Sequence, residues 1–453
     1  MPYSPSVPRG MLCALVTLVS SVGHADGIAI VGGSPRAIGR AGAATVGDDG
    51  GGALLINPAA MARRDTIRAE LGAAMIDDTV HWRTDTPYAP LSVGRAGSQI
   101  APLGALIIGV GDWSFGAGAM TAAVIDRSLP RPSDAHGDLM AAYEYRYTGI
   151  GGSYRRDTLS LGVARRLGDS LALGIALGAS RVRVTEHRRI WAGAGTTRWV
   201  GSQTDDVDLS FDASELFAPS AIAGLLYAPV DSQIELGASV GWARTVHLEG
   251  TAAGVGMATG PTVVNSFPPR ASLDVRQPIA VRAGGRYVGD RVVAELDGDL
   301  WLATAGSGST MWWIQGMQVV DPMQAPSELQ QVPSRIAQHT HVALRTAVDV
   351  ALIPGFLWVT GGYAFSTRGT PASRLSPSFG DLGGHTVGLG LDTTAGGVTV
   401  TLGWSRTWAL RTWTPSELRV DNPYGTSGPV PTGTYDGSVD QVGVLIEAEL
   451  GEH

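Results

Sequence analysis

Lysine is missing: all 33 basic residues of the 453 are Arg, set against 41 acidic ones, for a net charge of -8. Without lysine, the phosphate-loop cation and Schiff-base nucleophile are unavailable. An acidic chain without a basic tract also lacks the clustered cations that displace counterions from nucleic acid. Cysteine is almost missing. The one residue, Cys13, falls in a short apolar run near the start, so a chain processed after Ala25 has none, which excludes disulfides, thiolate clusters and cysteine nucleophiles. Charged residues are only 16% of the chain. Long apolar helices are lacking as well: 350–367 is uncharged but broken at Pro354-Gly355, and 250–269 is rich in Gly and Thr.

What is present points to a folded, exported β protein. The apolar share is 44%, too high for general disorder. Gly accounts for 62 residues without a G-X-Y period, so collagen is excluded. Residues 1–10 carry Arg9 as their only charge, 11–22 are apolar, and Gly23-His24-Ala25 precedes Asp26. This order predicts a signal peptide over 1–25.

The prevailing period in the rest is two. Ile234, Leu236, Ala238, Val240 and Trp242 fall on one face of a strand, with Glu235, Gly237, Ser239 and Gly241 on the other. Val398, Val400, Leu402 and Trp404 repeat the pattern, as do Val442, Val444, Ile446, Ala448 and Leu450. A barrel strand in lipid needs such alternation over ~9–11 residues. Fourteen segments fit: 66–83, 99–111, 113–125, 143–166, 170–190, 205–228, 232–249, 271–288, 291–304, 339–352, 355–369, 384–395, 398–413 and 434–450. Their connections alternate, with tight turns such as Gly111-Asp112, Gly168-Asp169, Gly289-Asp290 and Gly396-Gly397 between long loops such as 126–142, 250–270 and 305–338. Short periplasmic turns and long outer loops are the outer-membrane arrangement, and an even strand count closes an antiparallel barrel without an edge. The predicted fold is all-β, a fourteen-stranded antiparallel transmembrane β-barrel over 66–450.

If Gly289-Asp290 forms a two-residue turn, Val288 faces Arg291 and Arg282 faces Asp297, predicting a lumenal Arg282–Asp297 ion pair with Glu295 and Asp299 on the diagonals.

Residues 26–65 do not alternate. They hold Gly39-Arg40-Ala41-Gly42-Ala43, Asp48-Asp49 and Asn57-Pro58-Ala59-Ala60-Met61. A segment this small cannot form its own core, and the barrel is the available container. These motifs resemble the hatch of the FadL/TodX family of outer-membrane transporters for long-chain fatty acids and other hydrophobic compounds. Weaker similarity continues at Ala101-Pro102, Asp112-Trp113-Ser114-Phe115-Gly116, 224–229 and Gly433-Thr434-Tyr435. The resemblance implies a barrel plugged by the hatch, capture of an apolar ligand by outer loops, and release sideways into the membrane. It assigns plugging and gating to Gly39, Arg40, Gly42, Asp48, Asp49, Asn57, Pro58 and Ala59. It also implies a monomer; the expected surroundings are outer-membrane lipid and lipopolysaccharide, and no cofactor, metal or nucleic-acid partner is expected. No energy source is required, because an apolar ligand gains ~0.8 kcal/mol per CH₂ on entering lipid.

Two departures from the family stand out. The chain ends Glu449-Leu450-Gly451-Glu452-His453 rather than on an aromatic residue, and the 126–142 loop is polar (Pro130, Arg131, Asp134, His136, Asp138). Capture is therefore expected at 305–338, where Met311, Trp312, Trp313, Ile314, Met317 and Met323 supply adaptable thioethers and flat rings.

Enzyme signals are weak. Gly237-Ala238-Ser239-Val240-Gly241 matches G-x-S-x-G, but Ser239 lies mid-strand and not on a strand-to-helix elbow. His339 and His341, expected on one face with Arg345 and Asp349, lack further metal ligands. Asp205, Asp206, Asp208 and Asp212 could bridge a divalent ion to lipopolysaccharide or form a solvated rim. Three alternatives stay open: an outer-membrane lipid hydrolase, a structural or adhesive barrel without transport, and a soluble β-propeller.

Overall fold

The computed structural model describes residues 33–84, 92–94, 97–128, 144–193, 205–256, 260–321, 324–413, 422–424 and 433–450. The signal-peptide region, most of the 126–142 loop, Met323 and 451–453 lie outside these residues.

Fourteen antiparallel strands close into one barrel. They are β1 (Ile67–Thr84), β2 (Gly97–Val110), β3 (Trp113–Ser128), β4 (Gly151–Leu167), β5 (Leu171–Trp191), β6 (Asp206–Tyr227), β7 (Ile234–Ala243, resuming as Val246–Gly256), β8 (Thr262–Val275, resuming as Ile279–Val288), β9 (Val292–Leu302, resuming as Met311–Val320), β10 (His341–Ile353), β11 (Leu357–Ser366), β12 (Gly384–Ala395), β13 (Val398–Ala409) and β14 (Gly433–Leu450). Each pairs with its sequence neighbour, and β1 pairs with β14 from Ile67↔Leu450 to Thr84↔Gly433, leaving no free edge.

The turn at Gly396-Gly397 has positive φ at both residues, 58° and 77°, and sets Ala395 against Val398. This suits the primed turns whose twist matches a hairpin. The Gly289-Asp290 register is corrected. Neither residue takes positive φ, the Gly289 N–H donates to the Val292 carbonyl, and Val288 faces Val293. The loop has moved one residue along, so Arg282 faces Asp299 and Asp297 faces Gly284. The expected Arg282–Asp297 cross-strand pair is not formed.

Of two predicted loops, 250–270 proves to be largely strand and 305–338 contains the strand segment Met311–Val320. The segments Val246–Gly256 of β7, Thr262–Val275 of β8 and Met311–Val320 of β9 extend the barrel outward past the length needed to cross lipid.

Polarity inverts along the wall. On β5, Leu173, Ile175 and Leu177 face outward in the lower half, and Arg181 and Arg183 face outward above them with Val182 and Val184 buried inside. The upper strands enclose an apolar core that includes Phe211, Leu248, Leu273, Trp312, Ile314 and Met317. Below it, exposed aliphatic residues face lipid, with Trp113 and Tyr227 near the periplasmic turns and Trp242 at the outer boundary.

The ladder is interrupted where these halves meet. Between β7 and β8 no pairs form over 242–245 and 276–279, although Gly241 faces Ala280 and Val246 faces Val275. Pro278, which lacks an N–H, lies in this gap. Between β8 and β9 the register shifts, with 303–310 inserted.

Candidate functional site

Inside the barrel, residues 33–66 form a helix (Pro35–Gly39) and two 3₁₀ turns (Gly51–Leu54 and Pro58–Arg63). Ser34 caps the helix through its hydroxyl, and Pro35 and Pro58 occupy the first positions of their turns, where a missing N–H costs nothing. Wall glycines allow the close approach. A Cβ on Gly174 would lie 2.4 Å from the Ala59 nitrogen, and one on Gly388 would lie 2.6 Å from the Gly39 oxygen.

Asn57 is fully buried and uses both ends of its amide. Nδ2 donates to the Thr45 carbonyl (2.8 Å) and to the Leu225 carbonyl of the wall (3.2 Å), and Oδ1 accepts from Ala59 N (3.3 Å). Pro58 and Ala59 follow as the buried start of the turn.

Charged wall residues grip the segment's backbone. Asp297 Oδ2 accepts from the Ala44 and Thr45 N–H groups at 2.8 and 2.9 Å, and Glu295 Oε1 from Val46 and Gly47 at 2.8 and 3.0 Å. Glu70 accepts from Gly51 N at 2.7 Å. Arg40 bridges Glu295 and Asp349, and Arg345 donates to the Ala41 carbonyl at 3.0 Å. Gly39, Ala41 and Gly42 form the turn that presents Arg40, with Gly42 at φ 91°. Burial lowers the Arg40 pKa, but Glu295 and Asp349 outweigh it and hold the guanidinium charged.

Asp49 lies among Arg36, Arg64 and Arg68 at 3.6, 3.0 and 3.2 Å. Burial opposes its ionisation, yet Arg64, Arg68 and Arg36 hold its carboxyl well below the usual range. Asp48 accepts from Ser34 Oγ at 2.6 Å, and burial raises its pKa. The pKa values of the adjacent acids Asp48 and Asp49 are therefore displaced in opposite directions.

Above the segment is a cavity of about 230 Å³. Apolar surfaces from Leu55, Ile56, Ile222, Ala280, Trp242 and Pro278 line it, together with polar groups from Arg156, Arg282, Asp299, His341 and Arg345. Arg282 Nε is 3.9 Å from Asp299 Oδ1, and its buried Nη1 has no hydrogen-bond partner. Arg345 Nε donates to the other carboxylate oxygen, Asp299 Oδ2, at 2.8 Å, and Oδ1 also lacks a hydrogen-bond partner.

The cavity reaches β3 at Ala122 and Ala123. Ala122 is an extra residue that shifts the β3–β4 register, and β2–β3 pairing ends at Leu103↔Met120. A window therefore lies between 98–102 and 121–125. Gln99 Nε2, donating to Asp126 Oδ2 at 3.1 Å, limits it above. Arg155 spans it, donating to the Ile100 carbonyl (3.3 Å) and Thr121 Oγ1 (3.0 Å).

The predicted capture residues lie on β9. Trp312, Ile314 and Met317 point into the apolar core, and Trp312 stacks on Phe211 with centroids 4.6 Å apart and donates to Glu186 at 2.8 Å. Trp313 is half-exposed on the outer face, and Met311 is partly buried. The remaining signals have structural partners. Ser239 Oγ donates to the Ile56 carbonyl at 2.6 Å. His341 stacks on Trp301 and shares the inward face of β10 with Arg345 and Asp349, and His339 lies outside that strand. Asp206, Asp208 and Asp212 pair with Arg146, His187 and Arg183 respectively, and Asp205 is buried beside them. Among the described residues no three His, Cys, Asp or Glu side chains converge as metal ligands. Sequence reasoning missed the window and the break in β7–β9. The extra residue at Ala122 leaves no mark in a run of small residues, whereas Pro278 inside an apolar strand was a readable signal.

A family model described as outer membrane protein transport protein (OMPP1/FadL/TodX) matches residues 16–290. Among solved structures the chain is similar to a FadL homologue of Pseudomonas aeruginosa, with TM-score 0.71 and 13% identity over 94% of this chain and 99% of that one. It is similar to the toluene transporter TodX of Pseudomonas putida at 0.64 and 14%, over 94% and 100%. The toluene transporter TbuX of Ralstonia pickettii follows at 0.61 and 13%, over 91% and 97%. No curated protein sequence matches it.

Proposed function

The chain belongs to the OMPP1/FadL/TodX family of outer-membrane proteins that transport hydrophobic compounds, and from that premise we propose that it takes up an amphipathic acid such as a long-chain fatty acid. The unpartnered, buried Nη1 of Arg282, in a cavity that joins apolar surfaces to a polar end, carries this reading. A carboxylate there would satisfy a donor that is costly to leave bare. A plain hydrocarbon would not.

The segment at 33–66 is the hatch. Gly39, Arg40, Gly42, Asp48, Asp49, Asn57, Pro58 and Ala59 hold it shut through the contacts above. The window between β2 and β3 is the lateral outlet, with Arg155 as its bar. Flow needs no energy source, because the acyl chain moves from water toward lipid. A monomeric channel without cofactor is part of this reading, and Ser239, which donates to the Ile56 carbonyl, is given no catalytic role in it. Capture through Trp313 and Met311 remains part of this reading, whereas Trp312, Ile314 and Met317 act as core.

Uptake of labelled oleate in a host lacking its own transporter tests the proposal. The wild type should exceed the empty host, and Arg282→Gln should lower oleate uptake roughly tenfold, the scale of one charged hydrogen bond, while leaving toluene uptake unchanged. Equal oleate uptake by Arg282→Gln would overturn the carboxylate assignment.

A further inference from the structure

We propose that the break between β7 and β8 is a second lateral mouth, through which an amphipathic ligand enters the cavity at the level of the lipid headgroups. The inference rests on the transport reading above and adds the inlet to it.

Three observations carry it. First, the gap is bounded by residues that line the cavity: Trp242 and Ala243 on β7, Gln277 and Pro278 on β8. Trp242 faces lipid and is 51% exposed, so one cavity touches both the lumen and the outer surface. Second, side-chain alternation slips across the gap. Trp242 is outward below it, Arg244 and Thr245 are both exposed, and His247 is outward above it with Val246 buried. In a continuous strand, outward positions keep one parity, so the wall is bent here as well as unpaired. Third, the route from above is filled. Among the described residues, Trp312, Met317, Leu248 and Leu273 are fully buried in the apolar core over the cavity.

The heights of the two openings differ in the useful direction. Trp242 is the last apolar outward residue of β7 below the gap, and the gap runs upward from it. Ile100, 65% exposed, is the corresponding residue of β2, and the window extends below it to Pro102. A ligand admitted at the gap and released at the window therefore moves down past the headgroups. Leu216 and Phe217, 77% and 61% exposed on β6 beside the gap, give its tail an apolar landing surface.

Cysteine chemistry tests this in the full-length chain with Cys13, its one cysteine, replaced by Ser. Unbroken register places Ala243 opposite Pro278. In the Ala243→Cys/Pro278→Cys pair, oxidation should reduce oleate uptake at least tenfold, with recovery on reduction. Uptake unchanged by the cross-link would overturn the proposal. If the pair does not close, a bulky maleimide on Ala243→Cys alone is read in the same way. A second readout separates this inference from the transport reading. Bimane on Ala243→Cys in reconstituted protein should be quenched by brominated stearate at least fivefold more readily than bimane on Val240→Cys. Selective quenching without wild-type uptake would leave the mouth standing and sink transport. Equal quenching at the two positions would sink the mouth.

Discussion

Asn57 joins three strands of argument at one side chain. Its amide caps the 58–63 turn, ties it to Thr45, and fastens both to β6 through Leu225. Alanine there leaves two carbonyls and one N–H buried without that partner, at ~1–3 kcal/mol for each group that water cannot reach. Asn57→Ala should therefore accelerate amide exchange across 44–60 at least tenfold, with the barrel strands unchanged; uniform protection in both proteins would show that the amide is not a fastener. Asp49 acts through charge. Its folded pKa lies below the ordinary value of ~3.9. Its contribution is thus complete above that value and is lost only as pH falls through the lower, folded one. Protease resistance of the hatch should hold from pH 7 to pH 4. Asp49→Asn should lose it at pH 7, because it leaves Arg68, fully buried, short of its counter-charge, a change worth about 3–5 kcal/mol.

At the level of the strand, one outward face serves two solvents. Leu177 on β5 meets lipid, and six residues further on Arg183 meets water and pairs with Asp212. Leu177→Arg should cost ~2–4 kcal/mol if the position is near the membrane midplane, and less toward the interface. Arg183→Leu, above the lipid, should change folding in detergent or bilayer by under 1 kcal/mol, the ordinary worth of an exposed ion pair. Urea titration of refolding into vesicles would measure both. The same inversion explains what could be read from the sequence. All fourteen strands were legible, because in the lower half an apolar outward face alternates with Gly, Ser and Ala. The upper segments of β7, β8 and β9 were not. There the buried face is Val246, Leu248, Leu273 and Trp312 and the outward face is His247, Glu249 and Asp274, so the period remains but its polarity is reversed, and Gly and Thr dilute it. The Arg282 register failed for a smaller reason, a loop displaced by one residue. The hatch motif was legible by resemblance. Its grip by Glu295, Asp297 and Arg345 was not, since nothing in a strand's own pattern says which lumenal carboxylate will meet a backbone N–H some 250 residues away.

Taken as a whole, the barrel closes through ladders that never pass through the hatch. Every wall strand pairs with another wall strand. Removing residues 33–62 should therefore leave a closed barrel of unchanged strand content but with an open aqueous lumen. In planar bilayers the deletion should conduct ions at a level the full chain does not reach, and equal conductance would show that something other than the hatch seals the pore.

The place of the hatch in the chain has a consequence for biogenesis. It immediately precedes β1, and β1 joins β14, the last strand to be synthesised, along eighteen pairs. The barrel cannot close until β14 has been made, and once those pairs zip, a folded plug outside has no way in. The hatch must be gathered inside an incomplete wall, with Glu295, Asp297 and Asp349 already presented by strands nine and ten as a template. Loss of Glu295 and Asp297, which accept from four N–H groups of the segment, should therefore show first as slow or plugless assembly.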